Sequence, residues 1–343
     1  MEGEGDRDLS IEGLALERGT RSSTRFRAAE LADGSSVEIA AMIVRGAKPG
    51  PVFYLGAAFH GDEIAGTQIV GRVASGIDPA ALSGTLIAVP VQNPLAFQVQ
   101  HRFFVGHMLK SPMDQNPADP WAAFPGDADG NTASIVAHVI YDRMMRHADC
   151  MIDVHTPTTG GRYAPFAFLP PTRCGAVVGE AEALARAFGA DYILANDKGM
   201  YVGDRNPHTV MGERGVPAFG IEIGEGGRID GEEVATGVRG IANVLRKVGM
   251  MAGPVEQAGR NLVIRTMDVI RARRAGVLTL HVGLNDEVSP GQRVATITDP
   301  FDRPIEEIVS PRGGPVVRIA THPTVSTGER VVQLGVPREH GDG

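Results

Sequence analysis

The stretch Pro51–Gly66, PVFYLGAAFHGDEIAG, limits the fold more than any other part of this chain. An apolar run from Val52 to Phe59 predicts a buried strand, and helical character resumes at about Ile64. Between them stands a short polar turn, His-Gly-Asp-Glu, just beyond the carboxyl end of the strand. Because ligands bind at that edge of open α/β sheets, we expect this turn to contribute to a functional site.

The pattern of strands and helices changes at about residue 250, which predicts two domains in a chain of 343 residues. Before Met250, strands alternate with helices, which indicates an α/β fold in which a mixed sheet is flanked by helices. After Gly253-Pro254 the residues indicate only short strands and turns. We therefore predict a catalytic domain over residues 1–252 and an all-β, sandwich-like domain over residues 253–343.

Charge and composition exclude several classes of partner. The formal net charge is -8 and no basic cluster is present, which argues against a nucleic-acid partner. No apolar run approaches the roughly 18 residues of a membrane span, and the acidic N-terminus is unlike a signal peptide. Two cysteines make no disulfide framework. We expect a cytoplasmic protein that acts on a small-molecule substrate. The sequence is compatible with either a monomer or a homo-oligomer.

Three residues at predicted strand ends are candidate metal ligands. His60 and Glu63 are three positions apart, so a helical turn places them on one face. His155 ends a second buried strand, DCMIDVH, and precedes small, glycine-rich residues. Taken singly, the first pair could be an acidic helix start and His155 a loop histidine bonded to the main chain. Together they predict a His/Glu/His site for one Zn²⁺ per chain, with a position open for water.

Three further side chains are expected around this site. Asp153 lies on the same strand face as His155 and could fix its tautomer, or it could be a turn carboxylate. Glu222, inside the strand VPAFGIEI, is the expected general base because a carboxylate is costly to bury without a use. Glu225 is a second candidate for the general base. Glu222 could instead form a salt bridge with an arginine at the end of the strand. Arg102 is expected to stabilise a developing oxyanion, or else to be a surface arginine.

Other catalytic classes lack their motifs. The chain has no HExxH, no GxSxG, no Walker A loop and no intact dinucleotide fingerprint. The long, irregular stretch from Phe97 to Gly130 carries proline, glycine and the single tryptophan, Trp121. Since a loop of that length is usually functional or disordered, and aromatic residues favour order, we expect it to form a wall of the site.

The motifs HGDE (60–63), NP (93–94), FPGD (124–127), DVHT (153–156) and IEIG (221–224) occur in one order along the chain. This combination resembles the succinylglutamate desuccinylase/aspartoacylase family of zinc carboxypeptidase-like proteins. The resemblance implies a carboxypeptidase-like fold and hydrolysis of the amide of an N-acylated amino acid. It also implies zinc held by His60, Glu63 and His155, with Glu222 as base, Arg102 as polarising group, and Asn93 and Asn116 as substrate-binding residues.

The chain departs from the family pattern at one point. The family commonly has Asn-Arg shortly before Phe-Pro-Gly, and that arginine grips a substrate carboxylate. Here Asn116 precedes Pro117, so the role would fall to another arginine such as Arg162 or Arg205. The C-terminal part resembles a biotinyl/lipoyl-type sandwich, but no lysine follows Lys247, which excludes covalent carriage.

The leading hypothesis is a zinc-dependent amidohydrolase that deacylates a small N-acyl amino acid or a related amide. Its alternatives are a metallocarboxypeptidase acting on short peptides, and a binding protein that keeps the fold without turnover.

Overall fold

The computed structural model describes residues 11, 14, 16–256 and 259–337. Most of the acidic N-terminus and the last six residues of the predicted C-terminal domain lie outside the described residues. Sixteen strands are described, as follows: β1 (Thr20–Glu30), β2 (Ser36–Arg45), β3 (Lys48–Ala57), β4 (Ser83–Val89), β5 (Cys150–His155), β6 (Gly161–Phe168), β7 (Tyr192–Leu194), β8 (Ala218–Glu225), β9 (Leu262–Arg271), β10 (Gly276–Leu280), β11 (Glu287–Val288), β12 (Arg293–Thr298), β13 (Pro304–Val309), β14 (Gly314–Ala320), β15 (Thr324–Val325) and β16 (Arg330–Pro337). The α-helices are α1 (Ala65–Gly76), α2 (Pro94–Val99), α3 (Val105–Lys110), α4 (Thr132–Arg143), α5 (Val177–Phe188), α6 (Pro207–Glu213) and α7 (Gly231–Lys247).

A 12-stranded mixed sheet runs through the molecule in the order β1-β2-β4-β3-β5-β8-β6-β7-β9-β16-β14-β11. Four neighbouring strands, β4, β3, β5 and β8, are parallel, so their carboxyl ends meet at one edge. Because β3 and β5 are buried along most of their length, each reads as a continuous apolar run, as expected for parallel strands covered on both faces.

Helices cover both faces of this sheet, as the alternation of strands and helices predicted. On one face, apolar side chains of β3, β4 and β5 pack with those of α1, α5 and α7 in a single cluster. On the other face, the alternate side chains of the same strands pack with α4 and with Trp121 and Phe124 of the long loop. The mixed α/β architecture is therefore confirmed.

Some of the strands after residue 262 join the central sheet by main-chain hydrogen bonds. β9 pairs in parallel with β7, and β14 pairs antiparallel with both β16 and β6. The remaining strands form a second sheet, β13-β12-β10-β15, and a third apolar cluster fills the space between the two sheets. No α-helix occurs in 262–337, within the described part of the chain. The proposed boundary at residue 252 stays a prediction.

Two parts of the chain differ from the sequence-based expectation. The stretch 97–130 is not wholly irregular: it includes the end of α2, all of α3 and a 3₁₀ turn at Pro120–Ala122. The helix α6 has no counterpart among the predicted elements. Both α3 and α6 are shorter than two full turns, and such segments carry too few residues for apolar periodicity to emerge. None of the helices in the described ranges is long and apolar enough to cross a membrane.

Candidate metal centre

The turn that follows β3 places His60 and Glu63 at the carboxyl edge of the parallel strands. Gly61 allows this turn because its main chain lies against Ala96: a Cβ at position 61 would stand 1.8 Å from the Ala96 carbonyl oxygen. The main chain is also tied there, since the Gly61 N–H donates to the His101 carbonyl over 3.1 Å. The next residues lead directly into α1, so both side chains point back over the sheet edge.

His155, the last residue of β5, meets these two side chains. His60 Nδ1 lies 2.5 Å from Glu63 Oε1, and His155 Nδ1 lies 2.7 Å from Glu63 Oε2. The candidate ligand atoms of the three residues all lie within 4.8 Å of one another, and each residue is at most 2% exposed. The structure thus brings together three side chains that are up to 95 positions apart in the chain (155 − 60).

Each imidazole is supported from behind by a carboxylate. His60 Nε2 lies 3.1 Å from Asp119 Oδ2, and His155 Nε2 lies 2.6 Å from Asp153 Oδ2. If each Nε2–H donates to its carboxylate, each Nδ1 presents a lone pair to the space beside Glu63. Carboxylate–histidine pairs of this kind orient metal ligands and raise their basicity.

The pKa values of these groups reflect a tightly packed set of opposite charges. Burial alone would lower the pKa of His60, but the carboxylates of Glu63 and Asp119 outweigh it and raise the pKa to about 9. For His155, burial is likewise outweighed by Asp153 and Glu63, which hold its pKa well above the usual value. Burial alone would raise the pKa of Glu63, yet the two imidazoliums hold it well below its ordinary value.

These observations test whether the residues suit a divalent cation. The donor set is two imidazole nitrogens and a carboxylate, which is the type that zinc takes in catalytic sites. The short contacts between each imidazole and Glu63 require a proton on one partner of each pair, because two sets of lone pairs would otherwise face each other. A cation could replace those protons without leaving any side chain unsatisfied, so the donor set fits the metal.

Arg102 lies beside this group and not on the open surface. One terminal nitrogen, Nη1, is 3.3 Å from His60 Nδ1 and 3.6 Å from Glu63 Oε1, and the other, Nη2, is 3.4 Å from Asp119 Oδ2. Its side chain is 23% exposed, so it is reachable from solvent while facing the site.

Glu222 stands on the strand next to His155. β5 and β8 pair so that the two residues are direct partners, and Glu222 is 6% exposed. Its Oε1 accepts a hydrogen bond of 3.1 Å from the Tyr201 hydroxyl, and its buried Oε2 has no hydrogen-bond partner among the described residues. Burial first, and then the charge of Glu63, raise its pKa to about 7. The alternative of a salt bridge is not seen within the described ranges; the rival, Glu225, instead pairs with Arg228 over 3.1 Å.

Trp121 is a site residue whose role the sequence did not reveal. Its ring centroid lies 6.0 Å from that of His60 and 5.5 Å from that of His155, and its Nε1–H donates to Asp153 Oδ2 over 3.0 Å. The same loop supplies Asp119. The loop therefore lies against the candidate metal ligands, the position in which we expected a wall of the site. Only its aromatic content signalled this; nothing in its spacing singles out Asp119.

The two asparagines expected to bind substrate make no hydrogen bond to the candidate metal ligands within the described ranges. Asn93 caps α2 through its Oδ1 and donates to the Phe59 carbonyl through its Nδ2, so both ends of its amide serve the fold. Asn116 is exposed, and its side chain makes no hydrogen bond to the described residues of the centre. Substrate binding by these two residues stays a prediction.

The two arginines considered as carboxylate ligands are already engaged. Arg162 Nε lies 2.7 Å from Glu233 Oε1. Arg205 is exposed, and it donates to the main-chain carbonyls of Ala123 and Phe124.

Comparison with known proteins decides the family. Residues 49–248, which are more than half of the chain, match the succinylglutamate desuccinylase/aspartoacylase catalytic domain. The chain belongs to this family. Residues 60, 63, 102, 155 and 222 all lie within the matched range.

Relatives and solved structures agree with this membership. The chain is 28% identical over 262 residues to an N-alpha-acetyl-L-2,4-diaminobutyric acid deacetylase of Halomonas elongata, covering 73% of this chain and 71% of the relative. A succinylglutamate desuccinylase/aspartoacylase from Rhodobacter sphaeroides superposes with a TM-score of 0.79 at 26% identity, over 98% of this chain and 100% of that one. The product-bound ectoine utilization protein EutE from Ruegeria pomeroyi shares the fold with a TM-score of 0.77 at 24% identity, over 94% and 98% of the two chains.

Membership sharpens the meaning of the loop. The Asn-Arg pair expected before Phe124 is absent, and the residues that precede it are Asp119, Pro120, Trp121 and two alanines. Trp121 lies against both imidazoles of the candidate centre.

Proposed function

We propose that this protein is a zinc-dependent amidohydrolase that removes the acyl group from a small N-acyl amino acid. The observation that carries the proposal is the convergence of His60, Glu63 and His155 beside Glu222 at one sheet edge. Family membership and the deacetylase relative support deacylation as the reaction class. The carboxypeptidase-like character of the fold and a distinct C-terminal β domain belong to the same proposal.

The residues divide the reaction between them. His60, Glu63 and His155 would hold the ion, and Asp119 and Asp153 would fix the two imidazoles in the tautomer that ligation needs. A bound Zn²⁺ supplies Lewis acidity, which polarises the substrate carbonyl and makes a water easier to deprotonate. Glu222 takes the proton from the attacking water at its unpartnered oxygen and delivers it to the leaving nitrogen.

Arg102 and Tyr201 assist the reaction without holding the ion. Arg102 faces the centre with two donors and stabilises the negative charge that develops on the carbonyl oxygen. Tyr201 holds Glu222 by a hydrogen bond to one oxygen, which leaves the other free to face the water. A pKa raised to about 7 suits a group that must first accept a proton and then donate it near neutral pH. We propose a small-molecule substrate, and neither a nucleic-acid nor a membrane partner.

The test combines metal analysis with a substrate screen. Purified protein is assayed for bound zinc and for hydrolysis of N-acetyl-L-2,4-diaminobutyric acid, other N-acetyl amino acids and dipeptides. We expect about one zinc per chain and turnover of N-acyl amino acids. The variant His60→Ala should lose both the metal and hydrolysis.

Three results would point elsewhere. Faster cleavage of dipeptides would favour a metallocarboxypeptidase. Zinc binding with no turnover of any compound would favour a binding protein. Full activity in a strong chelator would overturn the proposal.

A further inference from the structure

Arg318 is a buried cation for which the described residues provide no hydrogen bond and no ion pair. It lies in β14, is 7% exposed, and its Nη1 has no hydrogen bond within the described ranges. The guanidinium also forms no ion pair with any carboxylate of the residues that the structure describes. An unpaired buried charge is costly, so a cation of this kind is a candidate for binding an anionic group of a ligand.

The fold places Arg318 beside two tyrosines that neighbour Glu222. β14 pairs antiparallel with β6, and Arg318 stands directly opposite Tyr163 in that pairing. Its guanidinium carbon lies 6.0 Å from the centroid of the Tyr163 ring. Tyr163 and Tyr201 interact through their hydroxyls, and Tyr201 is the residue that donates to Glu222. Arg318 is close enough to Glu222 for the two charges to interact.

The guanidinium is held in place without being neutralised. A Cβ at Gly161 would stand 2.3 Å from Nη2, so the absence of a side chain there is what makes room for the group. The main chain of Gly161 is itself anchored, since its N–H donates to the Thr158 carbonyl and its carbonyl accepts from Gly226. Burial lowers the pKa of Arg318, and the nearby Tyr163, Tyr201 and Glu222 offset this effect only in part.

We propose that Arg318 binds a carboxylate of the substrate and so takes the place of the arginine that is missing before Phe124. The inference rests on the proposed deacylase function. A guanidinium fixed on glycine main chain offers the planar pair of donors that a carboxylate matches. The C-terminal strands would then complete the substrate site and set its preference for acidic N-acyl compounds.

The first experiment compares matched substrates. N-acetyl-L-2,4-diaminobutyric acid and its α-carboxamide differ only in the amino-acid carboxylate, whereas N-succinyl-L-alaninamide and N-acetyl-L-alaninamide differ chiefly in the acyl carboxylate. We expect the zinc-loaded wild type to favour the anionic member of at least one pair by about 100-fold in kcat/KM, mainly through KM. In Arg318→Met that preference should shrink to within about 5-fold, because the anionic substrate loses rate and the neutral one does not.

Two further variants test whether the effect is specific to Arg318 and to its charge. Arg330→Met removes an exposed arginine near Arg318 and should change the preference by less than about 3-fold. Arg318→Lys keeps the charge and should retain part of the preference. Zinc content and thermal melting of each variant report whether the fold is intact.

A binding measurement separates this inference from the proposed function. Calorimetry in a Glu222→Gln background, with and without Arg318→Met, gives the affinity for the members of both pairs without turnover. If the wild type hydrolyses nothing, the proposed function fails, while loss of carboxylate preference in the calorimetry still supports Arg318. The inference is overturned if Arg318→Met weakens both members of a pair equally, or if no pair shows a carboxylate preference in Glu222→Gln protein.

Discussion

At the scale of single residues, the chemistry of the centre depends on which imidazole nitrogen carries a proton. In both histidines Nε2 faces a supporting carboxylate and Nδ1 faces Glu63. Because both ring nitrogens face carboxylates, each imidazole favours the doubly protonated form when no metal is bound, and ligation would remove the Nδ1 proton. In the metal-free protein, the candidate ligand side chains contact one another directly.

Zinc binding should release protons. The pKa of His60 is raised to about 9 and that of His155 is raised well above 6.5, so both imidazoles are charged at pH 7.5 in the metal-free protein. Ligation needs neutral imidazoles, so we expect about two protons to leave per zinc. Affinity for zinc should accordingly rise with pH from about 7 toward about 9, because fewer protons then have to be displaced. Calorimetry in buffers of different ionisation enthalpy counts the protons, and a count well below one would contradict this arrangement.

Glu222→Gln should remove catalysis and keep the metal. The amide cannot accept the proton of the attacking water, and general bases typically contribute about 10²–10⁴ in rate, so kcat should fall by that factor while zinc content stays the same. Glu225→Gln is the matched control, since Glu225 ends the same strand but pairs with Arg228. Equal losses in the two variants would show that Glu222 is not the base.

At the scale of elements, the turn between β3 and α1 determines the position of two of the three ligands. Ala58 adopts a left-handed conformation with φ of 52°, and Gly61 packs on the main chain of Ala96. The carboxyl end of β3 therefore turns sharply enough to point His60 and Glu63 toward β5. Interactions inside this turn are between main-chain groups, which cannot move aside as a flexible side chain can.

Gly61→Ala should damage both stability and metal binding. Its methyl group would overlap the Ala96 carbonyl, so we expect a loss of roughly 3 kcal/mol or more in the free energy of unfolding and a weaker zinc site. Gly71→Ala is the control within α1, because a Cβ there meets nothing within 4 Å and alanine favours the helix. Chemical denaturation and zinc titration measure both effects; an unchanged Gly61→Ala protein would show that the turn has room to relax.

At the scale of the whole molecule, the central sheet includes strands from both predicted domains, residues 1–252 and 253–343. β7 pairs with β9, and β6 pairs with β14, so hydrogen bonds cross the predicted boundary at residue 252 at two places. The Tyr163 hydroxyl also donates to Gln333 over 3.1 Å. The C-terminal strands thus cover edges of the central sheet that would otherwise be open.

A chain ending at residue 252 should therefore fold poorly. Removal of β9 and β14 leaves β6 and β7 with unpaired main-chain groups, and exposed sheet edges promote aggregation. We expect the fragment to be largely insoluble or to melt far below the full chain, as judged by circular dichroism and light scattering. A soluble fragment with the full chain's melting temperature would instead establish residues 1–252 as an independent domain.

The sequence alone determined the features that depend on local patterns. Runs of apolar residues marked β3, β5 and β8 because strands buried on both faces need them, and the polar residues at their ends marked His60, Glu63, His155 and Glu222. The tertiary structure alone decided which distant groups complete the centre. Asp119, Trp121 and Tyr201 lie in short irregular segments without periodicity, and Arg318 stands beside Tyr163 only because β14 pairs with β6. Such contacts follow from the path of loops and the pairing of distant strands, and no local pattern of residues encodes either of them.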